Sequence, residues 1–123
     1  IERDLRQLLP DGIRLVIEVG DDRVSPSLAN ALLLIVNEFV SNSVKHGLQD
    51  RSGSIAIAIR AGDDGWSIAC SDDGSATSAD AERAALAKGL GTRVIQSLAS
   101  SFGVTPDWSA NGSGMHLRID AAA

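Results

Sequence analysis

Glu38, Asn42, Lys45 and His46 bring a carboxylate, an amide, an ammonium and an imidazole into one short stretch. They sit in Asn37-Glu38-Phe39-Val40-Ser41-Asn42-Ser43-Val44-Lys45-His46-Gly47, which follows the apolar run Ala31-Leu32-Leu33-Leu34-Ile35-Val36. With about 3.6 residues per helical turn, Glu38, Asn42 and Lys45 share one face, and His46 lies one turn beyond Asn42. Leu32, Val36, Phe39, Val40 and Ser43 fall roughly opposite. Such a polar stripe suits a metal-bound polyphosphate. Mg²⁺ takes oxygen ligands and keeps several waters, so one amide oxygen plus substrate phosphates suffices. A nearby carboxylate can orient a water or hydroxyl, and a lysine can answer phosphate charge. The plainer alternative is a solvated outer face of an amphipathic helix.

A helix must carry this stripe. Pro26 suits a first helical turn and Gly47 a stop, which predicts one long helix over about 26–46. Its first half is apolar nearly all round and is therefore expected to be buried.

The remaining pattern is mixed. Residues 1–9 read as a short helix with Leu5, Leu8 and Leu9 on one side, ending at the turn signal Pro10-Asp11-Gly12. Residues 13–19 alternate and are β-branched, a strand. A polar loop at 49–53 precedes strands at 54–60 and 66–71, joined by the hairpin signal Gly62-Asp63-Asp64-Gly65. From 72 to 88 the apolar periodicity fades, and a mobile segment with at most a helical turn is expected. A second amphipathic helix follows at 92–102, then strands at 104–109 and 115–119 and a tail at 121–123. The order predicts an α+β fold: a two-layer α/β sandwich, its mixed, mostly antiparallel sheet covered on one face by helices. All 123 residues are expected to form one domain.

Composition narrows the function. Hydrophobic residues make up 44% and charged residues 22%, an ordinary globular balance. Aromatics are 3%, too few for base-stacking platforms, and the net charge of −5 argues against nucleic acid or an anionic membrane as partner. An anionic ligand would have to be held locally, by a metal and backbone N–H groups. The lone Cys70 excludes an internal disulfide and reads as a packed core thiol in a reducing compartment. No uninterrupted apolar run approaches the ~18 residues of a membrane span. The chain opens Ile1-Glu2-Arg3-Asp4 without Met or a signal-peptide core, which fits a piece of something longer.

Three further patches accompany the helix. Ser71-Asp72-Asp73-Gly74 ends a strand, Lys88-Gly89-Leu90-Gly91-Thr92 starts a helix, and Asn111-Gly112-Ser113-Gly114 precedes the last strand. A carboxylate at a strand end can accept from an exocyclic amine such as adenine N6. Glycines let backbone N–H groups approach phosphate at a helix N-terminus. Each patch alone could be a plain turn. Gly89-x-Gly91 lacks the third glycine of a dinucleotide fingerprint, and neither a P-loop nor the protein-kinase signatures occur.

Order and spacing together resemble the GHKL ATPase superfamily, which includes gyrase, Hsp90, histidine kinases and MutL and shares the Bergerat ATP-binding fold. Glu38-x-x-x-Asn42 with Lys45-His46 resembles the N box, Asp72-x-Gly74 and Gly89-x-Gly91 the two glycine boxes, and Gly112-Ser113-x-Met115 the closing Gly-Thr-x-Phe pattern. The branch it looks most like is the catalytic ATP-binding domain of the HWE/HisKA_2 type of sensor histidine kinase. The resemblance implies roles by residue. Asn42 would ligate Mg²⁺ on the phosphates, and Glu38 would be catalytic, polarising the attacking group or a metal-bound water. Lys45 and His46 would meet phosphate or ribose. Asp72 would accept from adenine N6, with Gly74 beside it and Ser113 holding it directly or through water. Residues 75–88 would be the ATP lid, and the N–H groups of Gly89, Leu90, Gly91 and Thr92 would contact phosphate. Ala76 stands where a second glycine is frequent and would be strained at positive φ. Ser113 stands for threonine, and Phe39 and Ser43 for the commoner Leu and Ala.

The implied activity is Mg-ATP binding and donation of the γ-phosphoryl group to a histidine on a separate domain, which passes it to a response regulator. His46 and His116 are the only histidines, and neither lies on a dimerisation helix, so the phosphoacceptor is missing. Residues 1–9 would link to that domain, and the location would be cytoplasmic, as part of a larger sensor. Two alternatives share the fold: an anti-sigma-factor serine kinase, and a degenerate nucleotide- or partner-binding module without catalysis.

Overall fold

Isoleucines at every second position place one face of the central strands inward. β1 (Ile13–Val19) buries Ile13 and Leu15, and β2 (Gly53–Gly62) buries Ile55 and Ile57. β3 (Gly65–Asp72) adds Ile68 and Cys70, and β5 (Met115–Ala122) adds Leu117, Ile119 and Ala121. The computed structural model describes residues 12–20, 24–48, 53–62, 64–110 and 112–122. The expected helix at 1–9 lies outside them, as does most of the turns at 10–12, 20–22 and 49–53.

The sheet order is β1-β2-β3-β5-β4, with β4 at Asp107–Ala110. β1 and β2 are parallel and the other pairs antiparallel. A parallel pair needs a long crossover, and α1 (Pro26–Asn42) supplies it. The side chain of Ser25 accepts from the Leu28 N–H at 3.2 Å, and Pro26 occupies the first turn. α1 presses Leu32, Ile35, Val36, Phe39 and Val40 onto the sheet beside Ile95 and Ala99 of α3 (Leu90–Ser101). Phe39 also stacks on Trp108 of β4, with ring centroids 6.3 Å apart. Each such large aliphatic or aromatic side chain contributes about 1.5–3 kcal/mol on full burial. The α+β two-layer expectation therefore holds.

Several details differ. Leu33 and Leu34 are 44% and 46% exposed, because one stripe of a helix lying on a sheet is covered, not its whole circumference. The span Pro26–His46 has the length and hydropathy of a membrane helix, yet its apolar stripe is core here. The α-helical hydrogen bonding stops at Asn42, and Ser43–Gly47 form a π-helical turn closed by the Leu48 N–H on the Ser43 carbonyl at 2.7 Å.

The segment expected to be mobile contains α2 (Ser78–Ala85). A reciprocal cap starts it: the Asp80 N–H meets the Thr77 hydroxyl at 3.3 Å, and the Asp80 carboxylate accepts from the Thr77 N–H at 2.8 Å. Its buried positions are Ala81 and Ala84, whose small side chains leave little periodic signal. Residues 104–106 are not strand. Gly103, at φ +75°, ends α3, and the Val104 N–H turns back to the Ala99 carbonyl, leaving β4 to begin at Asp107. The supposed tail is sheet: Ala121 pairs with Trp66 and is buried.

Candidate functional site

β3 delivers Asp72 to the C-terminal end of α1. The carboxylate is 6% exposed, and protein donors hold both of its oxygens. Ser43 donates its hydroxyl proton to Oδ2 at 2.7 Å, while the N–H groups of Gly74 and Met115 donate to Oδ1 at 3.0 and 3.1 Å. Gly114 makes this convergence possible. Its φ is +141°, and a Cβ there would overlap the Asp72 carbonyl oxygen.

The other half of the site is where α3 begins. A Cβ on Gly91 would lie 2.9 Å from Glu38 Oε2, 3.1 Å from Asn42 Nδ2 and 3.2 Å from Asn42 Oδ1. The polar stripe of α1 thus faces the first turn of α3, whose leading N–H groups lack intrahelical acceptors and carry the positive end of the helix dipole. The Thr92 hydroxyl is spent on the cap: it accepts from the Gly89 N–H at 3.0 Å and donates to the Gly89 carbonyl at 2.9 Å. Thr92 can offer its backbone N–H to a ligand, as can Leu90 and Gly91. A helix start with glycine at its mouth suits an anion. Hard oxygen donors from Asn42 and Glu38 at that mouth fit Mg²⁺. Among the described residues no group of three His, Cys, Asp or Glu could hold a metal. A cation here would therefore take its other ligands from water and phosphate.

The structure brings Glu38, Asn42 and Gly91 together at the mouth of α3, with Gly89 and Thr92 forming the cap, and Asp72 together with Gly74, the two groups joined through the adjacent Asn42 and Ser43. Lys45 and His46 are exposed in the π turn, and the Leu90 side chain is 80% exposed. Ser113 is exposed in the loop two residues before Met115. Asp80 at the start of α2 has its pKa lowered, first by the Thr77 N–H, then by the Thr77 hydroxyl, with smaller help from charge on Arg83 and His46. Burial pushes the Cys70 thiol up to about 12, which leaves it a core residue and no nucleophile. Ala76 escapes the strain its glycine-like position suggested: it is buried without positive φ, and its carbonyl accepts from the Gly112 N–H at 2.8 Å. The positive φ of +53° falls instead on Ala87.

Sequence reasoning missed Ser43, Gly114 and the Met115 N–H. A lone hydroxyl on the otherwise apolar face of Leu32, Val36, Phe39 and Val40 was the available signal for Ser43. For a backbone donor such as Met115 no residue-type signal exists.

The sequence model of the histidine kinase-like ATPase domain matches residues 6–120. This chain belongs to the histidine kinase-like ATPase domain family. A comparison with curated proteins gives no match. Solved structures agree with the fold. The histidine kinase domain from Erythrobacter litoralis EL346 blue-light activated histidine kinase aligns with a TM-score of 0.77 at 22% identity. It covers 90% of this chain and 55% of that one. A second structure, of the Erythrobacter litoralis EL346 blue-light activated histidine kinase, gives the same score and identity over 89% and 35%. The Acinetobacter baumannii histidine kinase AdeS aligns at 0.70 and 15% identity over 90% and 54%. The ATPase domain thus spans about half or less of these proteins. The GHKL resemblance read from four separated motifs holds for this ATPase domain, as does the Bergerat fold.

Proposed function

We propose that this ATPase domain binds Mg-ATP and donates its γ-phosphoryl group to a histidine on a separate domain of a sensor kinase of the HWE/HisKA_2 type. A response regulator would receive the group next, in the cytoplasm, with no nucleic acid and no direct membrane contact. The observation that supports this most is the junction of Asn42 and Ser43. Adjacent in the chain, they reach the mouth of α3 and Asp72 respectively, so a base-selecting carboxylate and a phosphate-binding helix start share one peptide.

The roles follow from the chemistry. Asp72 accepts from the 6-amino group of adenine, with Gly74 and Ser113 at its side. Asn42 holds Mg²⁺, which when bound neutralises charge on the phosphates. The N–H groups of Leu90, Gly91 and Thr92, opened by Gly89, meet the phosphate oxygens. Lys45 and His46 add positive charge near phosphate or ribose. Glu38 orients the attacking group, and α2 belongs to the lid. Phosphoryl transfer asks chiefly for positioning and charge stabilisation, which these groups offer.

Titration calorimetry with Mg-ADP, with and without EDTA, tests the reading. Wild-type protein should bind in a Mg²⁺-dependent way, and Asn42→Ala should remove the Mg²⁺-dependent part. Radiolabelled ATP with a histidine-bearing helical domain should give an acid-labile phosphoprotein. An acid-stable phosphoserine product, or no heat with Mg-ADP, would refute it.

A further inference from the structure

Ser43 stands where the resembled pattern has alanine, and it is not solvated: it is 3% exposed and sits 2.7 Å from Asp72 Oδ2. Two things fix it. Its carbonyl accepts the closing N–H of the π turn from Leu48, and its hydroxyl has one proton, which goes to the carboxylate.

An ionised carboxylate offers about four acceptor positions. On Asp72 the Gly74 and Met115 N–H groups occupy Oδ1, and Ser43 takes one position on Oδ2. Among the described residues' donors, these leave one position on Oδ2, which a ligand could take. The two oxygens of a free carboxylate exchange places by rotation about χ2. The three directed donors break that equivalence, and Ser43 is the one that addresses the ligand-side oxygen. With its proton committed, the Ser43 hydroxyl can only accept from anything further, as can Asp72. The site's directed chemistry at this end is therefore acceptor chemistry.

We infer that Ser43 is a positioning residue for purine selectivity: by anchoring Oδ2 of Asp72 it aims the remaining acceptor at a 6-amino group and turns away 6-oxo purines. This rests on the nucleotide reading above and deepens it. A 6-oxo purine would set its oxygen against the carboxylate, leaving a buried acceptor pair unsatisfied. Without Ser43 the carboxylate can turn away and tolerate it.

The experiment compares Mg-ADP, Mg-IDP and Mg-tripolyphosphate by calorimetry on wild type, Ser43→Ala, Asp72→Asn and the double variant. Ser43→Ala should reduce the ADP-over-IDP preference about tenfold, the size of one charge-assisted hydrogen bond. Tripolyphosphate affinity should stay within about twofold. In the Asp72→Asn background, adding Ser43→Ala should change the preference little, since both act through one carboxylate. Ser43→Cys, near-isosteric and a weak donor, should show the same loss of preference if the alanine variant folds poorly. An unchanged ADP-over-IDP ratio in a folded Ser43 variant, or an equal fall for all three ligands, overturns the inference alone. Absence of ADP binding by the wild type overturns the nucleotide reading, and this inference with it.

Discussion

Asp72 is 6% exposed and carries protein donors on both oxygens, whereas Lys45 and His46 in the π turn and Leu90 at the start of α3 stand in solvent, Leu90 at 80% exposure. One end is assembled before any ligand arrives. The other presents a helix start and long exposed side chains, which under the proposed function would gain partners from a bound anion. A small, rigid feature such as an amino group is recognised best by a preorganised acceptor, because little ordering cost remains at binding. A flexible, highly charged chain is better met by mobile donors and a dipole, whose pull is less dependent on angle.

The sharpest way to break the contrast is to disturb the built end. Gly114→Ala should be the most damaging change, since a Cβ at φ +141° would overlap the Asp72 carbonyl and push β5 from β3. A loss of about 3 kcal/mol or more is expected from strain plus lost hydrogen bonds, read by denaturant unfolding. Wild-type stability in this variant would show that the convergence on Asp72 is loose.

At the open end, stability and binding should separate. Gly91→Ala replaces a helical glycine, which by itself is worth up to about 1 kcal/mol. Its Cβ would displace the Glu38 carboxylate and the Asn42 amide, the mobile ends of side chains. The melting temperature should hold or rise while Mg²⁺-dependent ADP affinity falls about tenfold, read by paired melts and calorimetry. A parallel loss of stability would mean that the mouth of α3 is packed like the base end.

The smallest effect is expected in α2. Thr77→Ala removes half of the reciprocal cap and should cost α2 about 1 kcal/mol locally, visible as faster amide exchange at 78–85. ADP affinity should change by under about threefold. The cap also has a pH signature. The folded pKa of Asp80 is lowered from 3.8, so its contribution is present above that value and fades as pH falls through the lowered one. Exchange protection in α2 should be flat from about pH 7 to 5 once corrected for intrinsic rates, and should drop below about pH 4.

Much of the architecture was legible because burial imposes a period. The isoleucines of β2 and the stripe from Leu32 to Val40 announce one inward face each, and β1 ran from 13 to 19 as expected. α2 was not legible as a periodic pattern, because alanines bury too little surface to mark a face. Its cap, Thr77 with Asp80, was a local signal open to reading. The start of β4 was misplaced because the turn after α3 claims Val104 through a bond to Ala99, a choice made by the backbone.

The chain by itself determined which chemical groups are available and roughly where each lies along an element, since types and spacing set the faces of helices and strands. Glu38, Asn42, Asp72 and the glycines at 74, 89 and 91 were all named on that basis. Only the tertiary structure decided which groups meet. Residues 43, 72, 74 and 115 converge through long-range pairing and a widened helical turn, and donors such as the Met115 N–H belong to every residue alike. No spacing rule announces a contact made by the backbone across the sheet, because its geometry exists once the strands have paired.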